Sequence, residues 1–300
     1  GPRVSLEHLH RQPFGINWQA KTKAQIGRDE SNLQLDLTSH PWAGRRRGLV
    51  SGQFTYLVDD AHAVNTSQRL RVGRLREGER LERTDYLEFQ HAEVESDAGL
   101  TVSAASSLAG TTQWIFRDVD SQILPTRGTT TTVAVTAGHS FATLESSGYF
   151  GRAYARLTGY LPLPANWFAT ARGEWGQVIA RDQVSVPDTL LFRAGGDESV
   201  RGYAYRSLGV KADGVVIGGR SLVTGSVELA HPLMKSTPNL LGAVFVDAGD
   251  AAANPANLHI NLGYGAGLRW RSPVGTLKLD GAYGRDVRQW RMHFSVGISL

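Results

Sequence analysis

The sequence predicts an all-β chain, a 16-stranded antiparallel transmembrane β-barrel formed by residues 1–300 as one domain. Three observations predict it. Hydropathy alternates with period two through many segments of about ten residues, the length a tilted membrane strand needs. The polar faces of these segments carry full charges in mid-strand, at Lys21, Lys23, Arg172, Glu174, Glu228, Lys278 and Asp280; a wet lumen accepts such groups and a dry core does not. Aromatic residues gather near strand ends, at Trp42, Trp167, Trp175, Trp270 and Trp290, as an interfacial belt requires.

The elements follow from the alternation. Ile16, Trp18, Ala20, Thr22, Ala24 and Ile26 share one face, against Asn17, Gln19, Lys21, Lys23 and Gln25. Leu33, Leu35 and Leu37 repeat the pattern, as do Phe54, Tyr56 and Val58. Towards the C-terminus, Leu262, Tyr264, Ala266, Leu268 and Trp270 oppose Gly263, Gly265, Gly267, Arg269 and Arg271. Leu277, Leu279 and Tyr283 oppose Thr276, Lys278 and Asp280; Phe294, Val296, Ile298 and Leu300 oppose His293, Ser295, Gly297 and Ser299. In order, strands are expected at 3–9, 14–26, 32–38, 48–58, 67–76, 82–94, 99–106, 112–119, 128–138, 148–161, 166–178, 220–231, 240–248, 262–271, 275–283 and 291–300. Turn residues separate them, for example Gly27-Arg28-Asp29-Glu30, Pro125-Thr126-Arg127-Gly128 and Ser272-Pro273-Val274-Gly275.

Composition narrows the classes further. Cysteine is absent, which excludes disulfide scaffolds, thiolate metal sites and cysteine nucleophiles. The longest apolar run, Leu240 to Val246, includes Gly242 and falls far short of the roughly 18 residues of a membrane helix. Net charge is +4, and the one tight basic run, Arg45-Arg46-Arg47, reads as a solvated loop; no nucleic-acid partner is expected. The chain opens Gly-Pro-Arg without a signal peptide, so it reads as a mature chain or a cut-out piece. No Gly-x-Ser-x-Gly, His-Glu-x-x-His or P-loop occurs, and Gly263-x-Gly265-x-Gly267 lies on a strand with no helix after it. His8 and His10 share a strand face but lack a third ligand, and the pairs Asp118/Asp120 and Asp247/Asp250 read as solvated turn residues. The expectation is a non-enzyme with no metal and no cofactor.

One stretch breaks the meander. Residues 186–219 are rich in Gly, Asp and Ser, and a loop of this length is usually functional. It contains Gly195-Gly196-Asp197-Glu198-Ser199-Val200-Arg201-Gly202-Tyr203. That run resembles the Val-Arg-Gly-Phe/Tyr signature of the outer-membrane assembly barrels, the superfamily of BamA, TamA, chloroplast import channels and two-partner secretion transporters. Gly219 to Glu228, Gly242 to Gly249, and Gly265 to Gly275 resemble the family's following strands and its Ser-Pro-Val-Gly turn, in the same order. The resemblance is strong from about 187 onward and only topological before it.

The resemblance implies that the loop folds inward and that Arg201 reaches acidic groups on the lumen wall, with Glu228 and Asp247 at the matching positions. Parity supports Glu228, which shares a face with Leu222, Thr224, Ser226 and Ala230; both faces around Asp247 are apolar. A guanidinium can bridge carboxylates bidentately, fixing position as well as charge. Gly202 would permit a tight turn or a positive φ, with Tyr203 wedged beside it. The resemblance further implies a lateral gate between first and last strands, with Phe294, Gly297 and Leu300 on the gate strand. Within the superfamily the chain is most similar to the TamA-like barrels. That implies a bacterial outer-membrane location and a role in inserting or secreting β-barrel and autotransporter proteins. The implied partners are those nascent proteins, outer-membrane lipid and a TamB-like periplasm-spanning protein. A BamA-like or two-partner-secretion barrel and a passive diffusion porin are the alternatives. The family's POTRA domains are absent from this chain, and alignment on the family's motifs allows its first strand here to match the family's second.

Overall fold

A computed structural model describes residues 3–42, 45–59, 62–142, 146–212, 214–273 and 275–297. Alternating side chains and frequent turn residues produce a meander in which each strand pairs antiparallel with the next. The strands are β1 (Arg3–His10), β2 (Trp18–Gly27), β3 (Glu30–Ser39), β4 (Arg46–Val58), β5 (Val64–Glu77) and β6 (Leu81–Glu95). Then come β7 (Thr101–Val119), β8 (Gly128–Ala142), β9 (Gly148–Leu163) and β10 (Trp167–Ala180). A hairpin, β11 (Val210–Ala212) and β12 (Val215–Ile217), lies inside the long loop; β13 (Ser221–Met234), β14 (Thr237–Ala252), β15 (Asn261–Ser272), β16 (Gly275–Gly284) and β17 (Gln289–Gly297) complete the sheet.

The sheet has 15 strands among the described residues, where 16 were expected. The difference lies at 99–106 and 112–119, which form the single 19-residue strand β7. Leu108, Gly110 and Thr112 continue the outward face of that strand, and Ala109 and Thr111 the inward one, so the Gly-Thr-Thr stretch is no turn. The β11–β12 hairpin was not expected, because three-residue strands are too short to show a period. Expected positions Val274 and Leu300 lie outside the described residues.

Along each strand the faces divide as the alternation requires. Leu70, Val72, Leu87, Val135, Ile179, Val227, Val244, Val246, Trp270 and Phe294 are exposed on the outer face. Glu88, Gln90, Ser107, Thr136, Ser140, Asp247, Arg269 and Asp280 are buried on the inner one. A soluble protein places these two sets the other way round.

The inner face curls around the loop between β10 and β13. Loop residues hydrogen-bond Gln90 on β6, Ser140 on β8, Arg152 on β9, Arg172 on β10, Glu228 on β13, Asp247 on β14, Asp280 on β16 and His293 on β17. One segment can reach strands that far apart in the order only if the sheet wraps about it. Val184, Val186, Leu190, Phe192, Val200 and Tyr203 of the loop form an apolar plug against Ala109, Phe150, Val178, Leu222 and Ala251 of the wall. Among the described residues β1 and β17 are the two sheet edges.

Candidate functional site

The loop enters the lumen under two constraints. Asp188 accepts from the Gly218 amide at 2.7 Å and pairs with Arg193, whose guanidinium also donates to the Val216 carbonyl at 2.8 Å; this ties the base of the loop to its own hairpin. Further in, Gly195, Gly196 and Gly202 take positive φ, the last at 92°. Only glycine adopts these turns cheaply, and the one at Gly202 delivers Arg201 to the wall.

Arg201 makes contacts with three carboxylates. Its Nε and Nη2 fork onto Asp247 at 2.7 and 2.9 Å, and its backbone amide donates to the same carboxylate at 3.0 Å. Nη1 donates to Glu228 at 3.0 Å and to Asp280 at 3.1 Å. Ser226 donates to Asp247 Oδ1 at 2.7 Å, the oxygen that also accepts from Arg201 Nη2, and so helps to fix the carboxylate. The guanidinium carbon lies 3.3 Å from the centroid of the Phe245 ring, a stacked cation–π contact. A second arginine closes the network: Arg269 forks onto Glu228 at 2.8 and 2.7 Å and donates to Asp280 at 2.6 Å. Two guanidinium groups and three carboxylates thus share one buried site. Burial alone would lower the Arg201 pKa, but the hydrogen bond and charge of Asp247, with Glu228 and Asp280, raise it above its ordinary value. The group stays charged at any physiological pH.

Glycines on the wall make room for the loop backbone. Asp247, Gly263 and Gly284 lie abreast on β14, β15 and β16. A Cβ at Gly263 would strike the Arg201 carbonyl, and one at Gly202 would come within 2.6 Å of the Gly284 amide. The Gly-x-Gly-x-Gly run on β15 is therefore a trough for the loop: Gly265 clears the Phe245 ring and Gly267 the Asp280 carboxylate. On the far side of Gly202, its amide donates to His293 Nε2 at 3.0 Å. The Tyr203 hydroxyl donates to Asp286 at 2.7 Å and contacts the Leu262 carbonyl at 3.1 Å. Burial pushes the Tyr203 phenol up to about 12, and its hydrogen bond holds the Asp286 carboxyl below the usual range.

The structure brings together Val200, Arg201, Gly202, Tyr203, Glu228 and Asp247. Val200 is fully buried in the plug. The expected gate-strand residues lie elsewhere: Phe294 points outward from β17, and Gly297 is the last described residue of that strand, opposite Thr276. Sequence reasoning did not assign Asp280, Arg269, Phe245 or His293 to the site. The first two stood on polar faces of their strands, which marks them as inward without saying what they meet. His8 and His10 stack with centroids 6.2 Å apart, and no group of three metal-ligating side chains occurs among the described residues.

Comparison with known proteins decides the family. The Omp85 superfamily domain matches residues 13–300. The chain belongs to the Omp85 superfamily. Outer envelope protein 80, chloroplastic, of Arabidopsis thaliana is 36% identical over 118 residues, which are 36% of this chain and 14% of that protein. Outer envelope protein 39, chloroplastic, of the same plant is 36% identical over 116 residues, 35% of this chain and 29% of its own length. The chain therefore spans well under two thirds of these relatives. Among solved structures, BamA from Haemophilus ducreyi lacking POTRA domains 1-3 superposes with a TM-score of 0.73 at 17% identity, over 98% of this chain and 68% of that one. CdiB from Acinetobacter baumannii gives 0.61 at 18% identity, over 99% and 56%. The structural matches share the fold: this Omp85 member is an outer-membrane-type β-barrel with its arginine loop folded inside.

Proposed function

We propose that this Omp85 barrel is a TamA-like factor of the bacterial outer membrane that assists insertion or secretion of β-barrel and autotransporter proteins. It acts without covalent chemistry and with a TamB-like periplasmic partner. The observation that carries the reading is the buried network of Arg201, Arg269, Glu228, Asp247 and Asp280, which anchors a loop against the strands nearest the C-terminal edge. A diffusion porin has no use for such an anchor. The edges β1 and β17 supply the second half: an unpaired strand edge offers amides and carbonyls to an incoming strand, which is β-augmentation. In this reading the loop holds β13–β17 rigid while the edge of β17 exchanges partners.

The test is assembly of a model autotransporter by the full protein. Arg201→Ala is expected to leave the barrel folded and to slow assembly at least tenfold. Cysteines placed along β1 and β17 are expected to crosslink, and the locked form to be inactive until reduced. Full activity of the locked form, with steady ion conductance in a planar bilayer, would replace this reading with a pore.

A further inference from the structure

The end of the barrel opposite the loop entrance carries an unusual row. Register sets Arg46 beside Arg76, Arg76 beside Arg83, and Arg83 beside Trp114, on four consecutive strands β4 to β7. All three arginines lie on the outer face: Arg46 shares parity with exposed Phe54 and Tyr56, Arg76 with Leu70 and Val72, and Arg83 with Leu87 and Phe89. Arg74 and Asp85 lie one step nearer mid-strand on the same face.

The charge balance differs between the two faces. On the inner face of these same strand ends the arginines are matched: Arg47 bonds Glu77 at 3.1 Å and Arg117 bonds Glu82 at 3.0 Å. On the outer face, four arginines share Asp85, which takes Arg83 at 2.8 Å and Arg74 at 3.2 Å. No ion pair or hydrogen bond of the Arg46 or Arg76 side chain is found among the described residues. Like charges directly opposite on neighbouring strands destabilise a sheet, so such a row calls for an anion from outside the chain.

The surroundings say which anion. Val50, Val72 and Leu87 form a parallel apolar row on the same outer face, and each lies four residues along its strand from Arg46, Arg76 and Arg83 respectively. At roughly 3.3 Å per residue the arginines stand about 13 Å beyond that row. Trp114, in line with them, lies under the Arg83 guanidinium at 5.7 Å, and exposed Trp42 bridges to Arg46. An apolar band followed, about 13 Å further along, by a level of tryptophan and surplus arginine is the succession from hydrocarbon to headgroup interface. We infer that Arg46, Arg76 and Arg83 form a binding site for the phosphate of an anionic lipid headgroup on the outer wall of the barrel.

The test uses the folded chain in nanodiscs of phosphatidylcholine with a minor fraction of phosphatidylglycerol, with co-purifying lipid counted by native mass spectrometry. Wild type is expected to retain phosphatidylglycerol preferentially. Arg46→Gln with Arg76→Gln should reduce that preference about fivefold per arginine removed. The control Arg80→Gln with Arg127→Gln removes the same charge from turns at this end and should leave the preference intact. Heat-modifiable migration on gels confirms that each variant is folded. Equal preference in wild type and the row variant, or equal loss in the control, overturns the site. A wild type that binds neither lipid and does not enter the discs instead overturns the membrane reading on which the site rests.

Discussion

At Arg201, three carboxylates meet one guanidinium that is itself almost fully buried. Removing one partner of a buried ion pair costs about 3–5 kcal/mol, because the other charge is left unmatched. Arg201→Ala should therefore unseat the loop, and Asp247→Asn added to it should cost much less than Asp247→Asn alone. The coupling expected for groups in direct contact is about 0.5–3 kcal/mol, measured by denaturant unfolding in detergent; strictly additive losses would deny the contact. Arg201→Lys should recover only part, since an ammonium cannot fork onto Asp247. Some of this was readable in the sequence. Parity placed Glu228 inward, and family motifs picked out Arg201 and Asp247. Asp247 looked ambiguous because Leu241, Ala243 and Phe245 share its inner face. Phe245 is there to carry the guanidinium, and Leu241 and Ala243 pack with Ala230 and Phe168. Asp280 and Arg269 could be seen as inward residues only: they meet each other 11 positions apart across one hairpin, but their partners Arg201 and Glu228 lie 79 and 41 positions away and leave no local pattern.

Strands and turns show where short-range reading works. Fourteen of the expected segments, with β7 fused from the remaining two, match the sheet because alternation over ten residues is a strong local signal. The fate of the long loop is not local, and its path depends on wall positions such as Gly263. Gly263→Ala is expected to expose the loop to protease as fully as Arg201→Ala, without changing any charge, whereas Gly173→Ala has open space and should be silent. Protection of the loop in the Gly263 variant would show that the trough is dispensable. The β7–β8 turn offers a pH test. Desolvation opposes ionisation of Asp120, but hydrogen bonds from Thr126, Arg127 and Ser121 outweigh it and hold the carboxyl at about 2. Because the folded value lies below the unfolded 3.8, the contribution is complete above pH 4 and disappears as pH falls through about 2. The protection factors of the Thr126 and Arg127 amides should fall over that window, and Asp120→Asn should flatten the profile. An unchanged profile in the variant would assign the effect to another group.

On the scale of the whole molecule, the outer wall is apolar and the interior charged, an order that requires hydrocarbon around it. Tryptophan reports this directly, since Trp175, Trp270 and Trp290 are all outward and exposed. In vesicles of brominated lipid their emission should be strongly quenched, while aqueous acrylamide should quench little. The opposite ranking would mean that the wall faces water.

The distances along the chain between Arg201 and its partners impose a timetable. Glu228 lies 27 residues downstream, Asp247 46, Asp280 79, and His293, which receives the neighbouring amide, 91 from Gly202. The plug is thus made well before the last of its sockets leaves the ribosome. Its contacts are complete only when the final two strands have arrived, so the lock inspects the finished product: a barrel truncated before Asp280 would keep the bonds of Arg201 to Glu228 and Asp247 but lack its bond to Asp280 and that of Gly202 to His293.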